Sequence, residues 1–214
     1  MDHTTFEPFS FRKHFLFLCD LEKEVWDFAD PKTKRSTVWL MTVAYALICL
    51  KKSTRTLVLR KKHELLGVIL IKEPYKRPKL LTTLALSSLL FLVKVLLSLR
   101  GFKTKYSYHA FELKAQKLCL EKIDNPQEID SYINLLMVSK KTQGQGLGKK
   151  LVLKALELIK AQGGKCTALF TDESCNFKFY DRLGFTRIFD QKLKAQWGPL
   201  EQDSDFIRFL MYEI

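Results

Sequence analysis

The sequence is poor in the residues that break a chain into flexible pieces. Nine glycines and six prolines among 214 residues leave little material for linkers. The five cysteines are odd in number and widely spaced, with no CxxC pair, so neither a disulfide framework nor a zinc site is indicated. Residues 1–11 are acidic and mixed, so no secretory signal peptide is predicted. We therefore expect one globular domain, 1–214, in the reducing cytoplasm, without a bound metal.

Acidic residues are also scarce across one long stretch. Residues 32–105 hold 17 basic and two acidic side chains, so this stretch accounts for the net charge of +13. Such a basic field can attract phosphates, an anionic membrane surface, nucleic acid or an acidic partner, and a merely solvated surface is the alternative. No zinc finger, RNA-recognition signature or long basic helix accompanies it, so nucleic-acid binding is not predicted.

Hydrophobic spacing in the first half predicts two helices and a hairpin. The helices cover Phe15–Phe28 and Ser36–Leu50. The β-rich runs Thr56–Arg60 and Leu65–Ile71 flank a short polar segment, which is typical of a hairpin. Phe6–Leu18 has only weak strand character.

The segment Leu80–Leu99 is the longest apolar run. Its 20 residues carry one charge, Lys94, so length alone would allow a membrane span. On a helical wheel, however, Thr83, Ser87, Lys94 and Ser98 fall within about 60° of one another. A polar stripe of this kind suits a helix that lies on the domain, in a homodimer interface or at a membrane surface better than one that spans lipid.

The second half alternates strands and helices. A strand, a glycine-rich loop, a helix and a second strand in that order predict a parallel crossover. The predicted elements are a strand over Tyr132–Val138, a helix over Leu147–Gln162, a strand over Thr167–Thr171, a short helix over Ser174–Leu183, and strands over Thr186–Gln191 and Phe206–Tyr212.

The glycine-rich loop lies between the strand and the amphipathic helix. Gly144, Gly146 and Gly148 remove side chains at alternate positions, so that backbone N–H groups can approach an anion. The start of the following helix adds its partial positive charge. A phosphate is the ligand that this arrangement favours, and a glycine-rich turn without a ligand is the alternative.

Two common phosphate loops do not fit these residues. A P-loop, GxxxxGK[ST], would need a glycine in place of Gln143 and a serine or threonine in place of Lys150. A dinucleotide fingerprint would need GxGxxG, whereas the spacing of the three glycines is GxGxG.

The loop resembles the signature [QR]xxGx[GA] of the GNAT superfamily of acetyl-CoA-dependent N-acetyltransferases. Gln143, Gly146 and Gly148 meet that pattern. The strand that precedes the loop ends in Leu136-Met137-Val138, as the cofactor-contacting strand of the family does. Downstream, Asn176 and Tyr180 precede Leu183-Gly184-Phe185 and resemble the family's N-x-x-x-(Y)-x-x-x-G-F segment.

The resemblance implies a mixed α/β (α+β) fold, in which helices flank a splayed central sheet. An extra amphipathic helix would be inserted between the third and fourth strands. Residues 1–105 would form the acceptor side, and 106–214 the acetyl-CoA-binding core.

The resemblance also implies roles for particular residues. Leu136, Met137, Val138 and Asn176 would bind the pantetheine arm, and the pyrophosphate would be held by Gln143, Gly144, Gln145, Gly146, Leu147, Gly148 and Lys149. Tyr180 would protonate the departing thiolate, and a phenol with a pKa near 10 can stabilise a thiolate whose thiol has a pKa of about 8.5. Asn176 and Tyr180, four residues apart, would share one helix face.

The implied activity is transfer of an acetyl group from acetyl-CoA to a primary amine by direct attack in a ternary complex. The acceptor would be a small-molecule or peptide amine. The carboxylates Asp130, Asp172 and Glu173 and the imidazole of His109 are candidates for the base, but none has a motif behind it. The alternative is a membrane-surface or protein-interaction module on the same fold that docks through Leu80–Leu99.

Overall fold

A computed structural model describes residues 4–25, 34–101, 108–194 and 206–214. These residues form seven strands and six α-helices. In chain order they are β1 (Thr4–Pro8), α1 (Phe11–Val25), α2 (Arg35–Lys52), β2 (Arg55–Lys61), β3 (Glu64–Lys72), α3 (Leu80–Leu99), α4 (Tyr108–Lys122), β4 (Ser131–Val138), α5 (Leu147–Lys160), β5 (Thr167–Asp172), α6 (Lys178–Asp181), β6 (Thr186–Lys194) and β7 (Phe206–Glu213).

All seven strands pair in one sheet, in the order β1-β2-β3-β4-β5-β7-β6. Each neighbouring pair is antiparallel except β4 and β5, which are parallel and are joined through the crossover helix α5. The predicted mixed α/β fold with a central sheet flanked by helices is confirmed. The predicted position of the inserted helix is also correct, because α3 lies between the third and fourth strands.

Helices cover both faces of the sheet. On one face, α5 buries Leu151, Val152 and Ala155 against strand residues such as Ile69 and Leu210. On the other face, α1 and α2 pack over β2, β3 and β4, while α4 covers β5, β6 and β7. α3 lies outside α2 and forms an additional layer.

The helix predictions need three corrections. α1 begins at Phe11, earlier than Phe15, because Pro8 ends the preceding strand and the Ser10 carbonyl accepts the first helical bond from His14, at 2.8 Å. α4 was not predicted, since its buried side is narrow and made of small residues, Ala115 and Cys119, which give little periodic signal. The third correction concerns α6 and is described with the site.

Candidate active site

The parallel strands β4 and β5 separate before they end. Only three residue pairs connect them, Ser131–Thr167, Tyr132–Ala168 and Ile133–Leu169, although β4 continues to Val138 and β5 to Asp172. Beyond Ile133, the edge of β4 that faces β5 has no paired strand among the described residues. We call this gap the seam.

A β-bulge lies where the seam opens. The register between β3 and β4 shifts between Leu70 and Ile71, which leaves Asn134 of β4 without an opposing residue. A bulge bends its strand and interrupts pairing, which accounts for the position of the opening. The Asn134 amide donates to the Ser53 hydroxyl at 3.0 Å and to the Lys52 carbonyl at 3.3 Å, so the end of α2 holds the bulge in place.

The bulge also redirects the side chains of β4. Ile133 packs in the core under α5, whereas Leu135 and Met137 pack under α1 and α2. Leu136 and Val138 remain partly buried and face the groove described below. The strand therefore presents backbone groups and two apolar side chains along the seam.

The loop after β4 is anchored from α1. The Glu24 carboxylate accepts hydrogen bonds from the Ser139 hydroxyl at 2.8 Å and from the Lys140 amide at 2.6 Å. Gly144 and Gly146 have φ angles of +80° and +74°, in the left-handed region where a side chain is disfavoured. The loop conformation thus depends on glycine at these two positions.

The backbone N–H groups of residues 143–149 form a concentration of unused donors. Within the described residues, none of these seven amides donates to a protein acceptor, and the first amide of the helix to do so is that of Lys150, which donates to the Gly146 carbonyl at 3.1 Å. Backbone amides at a glycine-rich bend and a helix N-terminus are a favourable environment for an anion. Lys149 and Arg182 add positive charge at the same place.

A groove of about 560 Å³ runs from these amides to the seam. Ten of the twelve residues predicted for the site line it: Leu136, Val138, Gln143, Gly144, Gly146, Leu147, Gly148, Lys149, Asn176 and Tyr180. Met137 does not, because its side chain is buried in the core on the opposite side of β4. Gln145 is solvent-exposed and also lies outside the lining.

The short helix α6 carries Tyr180. The prediction of a helix over Ser174–Leu183 is wrong, since α6 covers only Lys178–Asp181. Asp172 prevents an earlier start, because its carboxylate accepts from the amide and hydroxyl of Ser174, at 2.8 and 2.5 Å, and fixes a turn there. Asn176 therefore precedes the helix, and the shared helix face does not exist, although both Asn176 and Tyr180 reach the groove.

Contacts with β6 and β7 hold this four-residue helix. The Arg187 guanidinium contacts the Asp181 carboxylate through two nitrogens, at 2.7 and 3.2 Å, and lowers the pKa of that carboxyl. The Tyr212 hydroxyl donates to the same carboxylate at 3.1 Å. The Tyr180 ring packs against the rings of Phe185 and Tyr212, with centroids 5.8 and 5.6 Å apart.

Tyr180 lines a second, smaller cavity as well as the groove. This cavity, about 70 Å³, lies over the seam and is also lined by Tyr45 of α2 and Glu112 of α4. Burial raises the pKa of the Tyr180 phenol well above its ordinary value, so it remains protonated at neutral pH. The phenol thus lies where the groove meets the cavity.

The carboxylates proposed as bases have structural partners. Asp172 lines the small cavity but is buried and bonded to Ser174. Glu173 accepts from the Arg208 amide at 3.1 Å, and Asp130 accepts from the Lys165 amide at 2.7 Å, so both brace loops. The side chain of His109 lies outside those that the structure describes.

Sequence reasoning missed the residues contributed by α1, α2 and α4. Glu112 of α4 lines the small cavity together with Tyr45. Glu22 of α1 is fully buried nearby, and neither of its carboxylate oxygens has a hydrogen-bond partner among the described residues. Burial, with a smaller contribution from Glu112, raises the pKa of Glu22 to about 9. The sequence offered one signal for Glu22, namely an acidic residue at a buried position of a helix.

Comparison with known proteins finds a family match for part of the chain. Residues 106–199 match the acetyltransferase (GNAT) domain family. N-alpha-acetyltransferase 30 of Schizosaccharomyces pombe is 28% identical over 97 residues, which is 44% of this chain and 61% of that protein. The similarity thus spans less than two thirds of this curated relative.

Solved structures agree in fold along nearly the whole chain. An N-acetyltransferase from Staphylococcus aureus Mu50 superposes with a TM-score of 0.55 at 10% identity, over 99% of this chain and 98% of its own. The yncA protein of Salmonella typhimurium, solved with its cofactor acetyl-CoA, gives 0.53 at 9% identity, over 99% and 93%. Identities this low show the fold alone. Together with the family match, which covers less than half of the chain, this fold agrees with the resemblance to the GNAT superfamily found in the sequence.

Proposed function

We propose that this protein transfers the acetyl group of acetyl-CoA to a primary amine, by direct attack in a ternary complex. The observation that carries the proposal is the seam, which opens after three residue pairs and continues into a groove that ends at seven unused backbone amides. An extended pantetheine arm can use the free edge of β4 as a neighbouring strand would. The loop amides then meet the pyrophosphate.

Leu136 and Val138 would contact the pantetheine arm, because both lie on β4 and line the groove. Met137 can contribute only its backbone, since its side chain is in the core. The pyrophosphate would lie against the amides of residues 143–149, with Lys149 and Arg182 beside it. This recognition depends on the main chain more than on side-chain identity.

The chemistry begins when the nitrogen lone pair of the amine attacks the thioester carbonyl carbon. A C–N bond forms, the C–S bond breaks, and its electron pair goes to sulfur. We infer that Tyr180 donates a hydrogen bond to this thiolate. Its raised pKa lies above that of about 8.5 for a thiol, so complete proton transfer from the phenol would be uphill, and hydrogen-bond donation is the role that this environment favours.

The amine must also lose a proton, and Glu112 is the residue we propose to accept it. Within the described part of the chain, two carboxylates line the small cavity, Glu112 and Asp172. Glu112 lies on α4 and shares the small cavity with Tyr45 of α2, and it does not line the groove that would hold the cofactor. An amine entering between α2 and α4 would meet Glu112 and the thioester together.

The acceptor class follows from the chemistry of the cavity and from one relative. A cavity of about 70 Å³ is much smaller than the groove and suits the tip of an amine rather than a bulky side chain. The curated relative is named as an N-alpha-acetyltransferase, which adds the α-amine of a peptide to the candidates. The acceptor is therefore a small-molecule amine or a peptide N-terminus.

The test is release of free CoA from acetyl-CoA, followed with a thiol reagent in the presence of a panel of peptides and small amines. We expect release that depends on an acceptor, and mass spectrometry should show a gain of one acetyl group on that acceptor. Folded protein that binds acetyl-CoA but acetylates no member of a broad panel would contradict the proposed activity.

A further inference from the structure

The inserted helix α3 has apolar side chains on two opposite sides. Leu86, Leu90, Val93 and Leu97 are buried against α2. The other side is exposed to solvent, and it includes Leu81, Leu84, Phe91, Leu92, Val95 and Leu99, which are 38–81% exposed. Exposed apolar surfaces of this extent mark sites of contact with a partner or a membrane.

The polar groups of α3 do not prevent burial of this outer face. The hydroxyls of Thr83, Ser87 and Ser88 donate to the carbonyls four residues earlier, at 3.0, 2.7 and 3.1 Å. Their hydrogen bonds are therefore satisfied within the helix and need no water. Lys94 is the one charged residue of the helix, and its long side chain can keep the ammonium group in water at the edge of an apolar contact.

Charge at the ends of the helix indicates the chemistry of the partner. The Arg100 guanidinium donates to the Ser36 carbonyl at 3.3 Å, so the end of α3 lies against the start of α2, where Lys34 and Arg35 are also exposed. Exposed Arg77 and Lys79 precede the other end of α3. Residues 74–101 contain no acidic residue.

The acidic residue closest to α3 in the sequence, Glu73, does not alter this charge. It is buried, and its carboxylate contacts Arg55 at 2.9 Å and Lys76 at 3.0 Å. The surface around the exposed face of α3 therefore combines an apolar centre with basic groups at both ends.

We propose that the outer face of α3 docks into the surface of an anionic lipid bilayer. The apolar side chains would enter the boundary between headgroups and acyl chains, and the basic groups at the two ends would contact lipid phosphates. The helix would lie parallel to the membrane, because its other side is fixed along its length to α2. This inference rests on the shape and charge of α3 and does not depend on the proposed acetyl transfer.

A second copy of the chain fits the same surface less well. In an antiparallel pair of α3 helices, Arg77 and Lys79 of one copy would face Arg100 of the other. In a parallel pair, like ends would meet. Since every charged side chain of residues 74–101 is basic, both arrangements bring positive charges together without a compensating acid.

Vesicle co-sedimentation of the full chain tests the proposal. We expect binding to vesicles of phosphatidylcholine mixed with phosphatidylglycerol and much weaker binding to phosphatidylcholine alone. The double variant Phe91→Glu/Leu99→Glu should remain in the supernatant. Replacing Arg77 or Lys79 by a neutral residue should weaken binding to the anionic vesicles. The expected loss is about fivefold for each charge, the equivalent of about 1 kcal/mol per basic residue.

Leu153→Glu is the matched control, because Leu153 is 51% exposed on α5, away from α3. It should bind vesicles like the unaltered protein, and all variants should show the same melting temperature. Failure of the unaltered protein to bind anionic vesicles would overturn the proposal. So would a dimer in sedimentation velocity that dissociates on Phe91→Glu/Leu99→Glu, because that result assigns the surface to a second copy.

Discussion

The ionisation of Glu22 should make the free energy of unfolding depend on pH. Replacement of Glu22 by glutamine should remove that dependence. Glu22 is fully buried in α1, its carboxylate oxygens have no hydrogen-bond partner among the described residues, and burial raises its pKa from 4.5 to about 9. Between these values the folded protein holds a proton that the unfolded chain has lost. Stability is therefore fully retained below pH 4.5 and falls as the pH rises towards 9.

The size of the effect follows from the shift. Each pKa unit corresponds to about 1.4 kcal/mol. The raised pKa of Glu22 therefore lowers the free energy of unfolding by roughly 3 kcal/mol at pH 7 and by about 1 kcal/mol at pH 5. Glu22→Gln removes this titration, while any cost of the buried amide is independent of pH. The variant should gain roughly 2 kcal/mol relative to the unaltered protein between pH 5 and pH 7.

Urea denaturation from pH 5 to pH 8 measures this difference directly. Asp20→Asn is the matched control, because it removes an exposed carboxylate from the same helix. Glu112→Gln should reduce the pH dependence, since Glu112 contributes to the raised pKa of Glu22. A difference between Glu22→Gln and the unaltered protein that stays constant over this range would refute the reasoning.

Three further substitutions probe the site and the sheet. Tyr180→Phe should lower turnover at least tenfold and leave acetyl-CoA affinity nearly unchanged, and an unchanged kcat would remove Tyr180 from the chemical step. Glu112→Gln should lower turnover about a hundredfold at neutral pH, with partial recovery at alkaline pH as the free amine loses its own proton; equal loss at every pH would argue against a role as base. Gly67→Ala should destabilise the fold by about 2 kcal/mol, because the new methyl group would lie 2.7 Å from the Met137 carbonyl oxygen; an unchanged urea midpoint would show that β3 and β4 can move apart.

The loop and the strands around it could be predicted from the sequence because their signals are local. Glycine spacing, an apolar strand before it and an amphipathic helix after it are contained within residues 132–162. The loop geometry supports this interpretation, since Gly144 and Gly146 adopt conformations that favour glycine. The hairpin β2–β3 was found for the same reason.

The acceptor side could not be predicted, because it depends on contacts between distant segments. Glu112 and Tyr45 are 67 positions apart in the chain and meet only because α4 and α2 lie on the same face of the sheet. α4 itself gave little periodic signal. The start of α6 was misplaced since the Asp172 side chain, rather than hydrophobic spacing, decides where the chain turns.

Isothermal titration with acetyl-CoA tests the central claim most directly when two glycine variants are compared. Gly146 and Gly163 have similar φ angles, +74° and +81°, and an added methyl group meets no atom within 4 Å at either position. Alanine should therefore cost about 1–2 kcal/mol of stability at both sites. Of these two glycines, only Gly146 lines the groove. The account predicts one-to-one binding to the unaltered protein and to Gly163→Ala, with a sharp loss in Gly146→Ala. Absence of binding to the folded, unaltered protein, or equal affinity in all three, would contradict it.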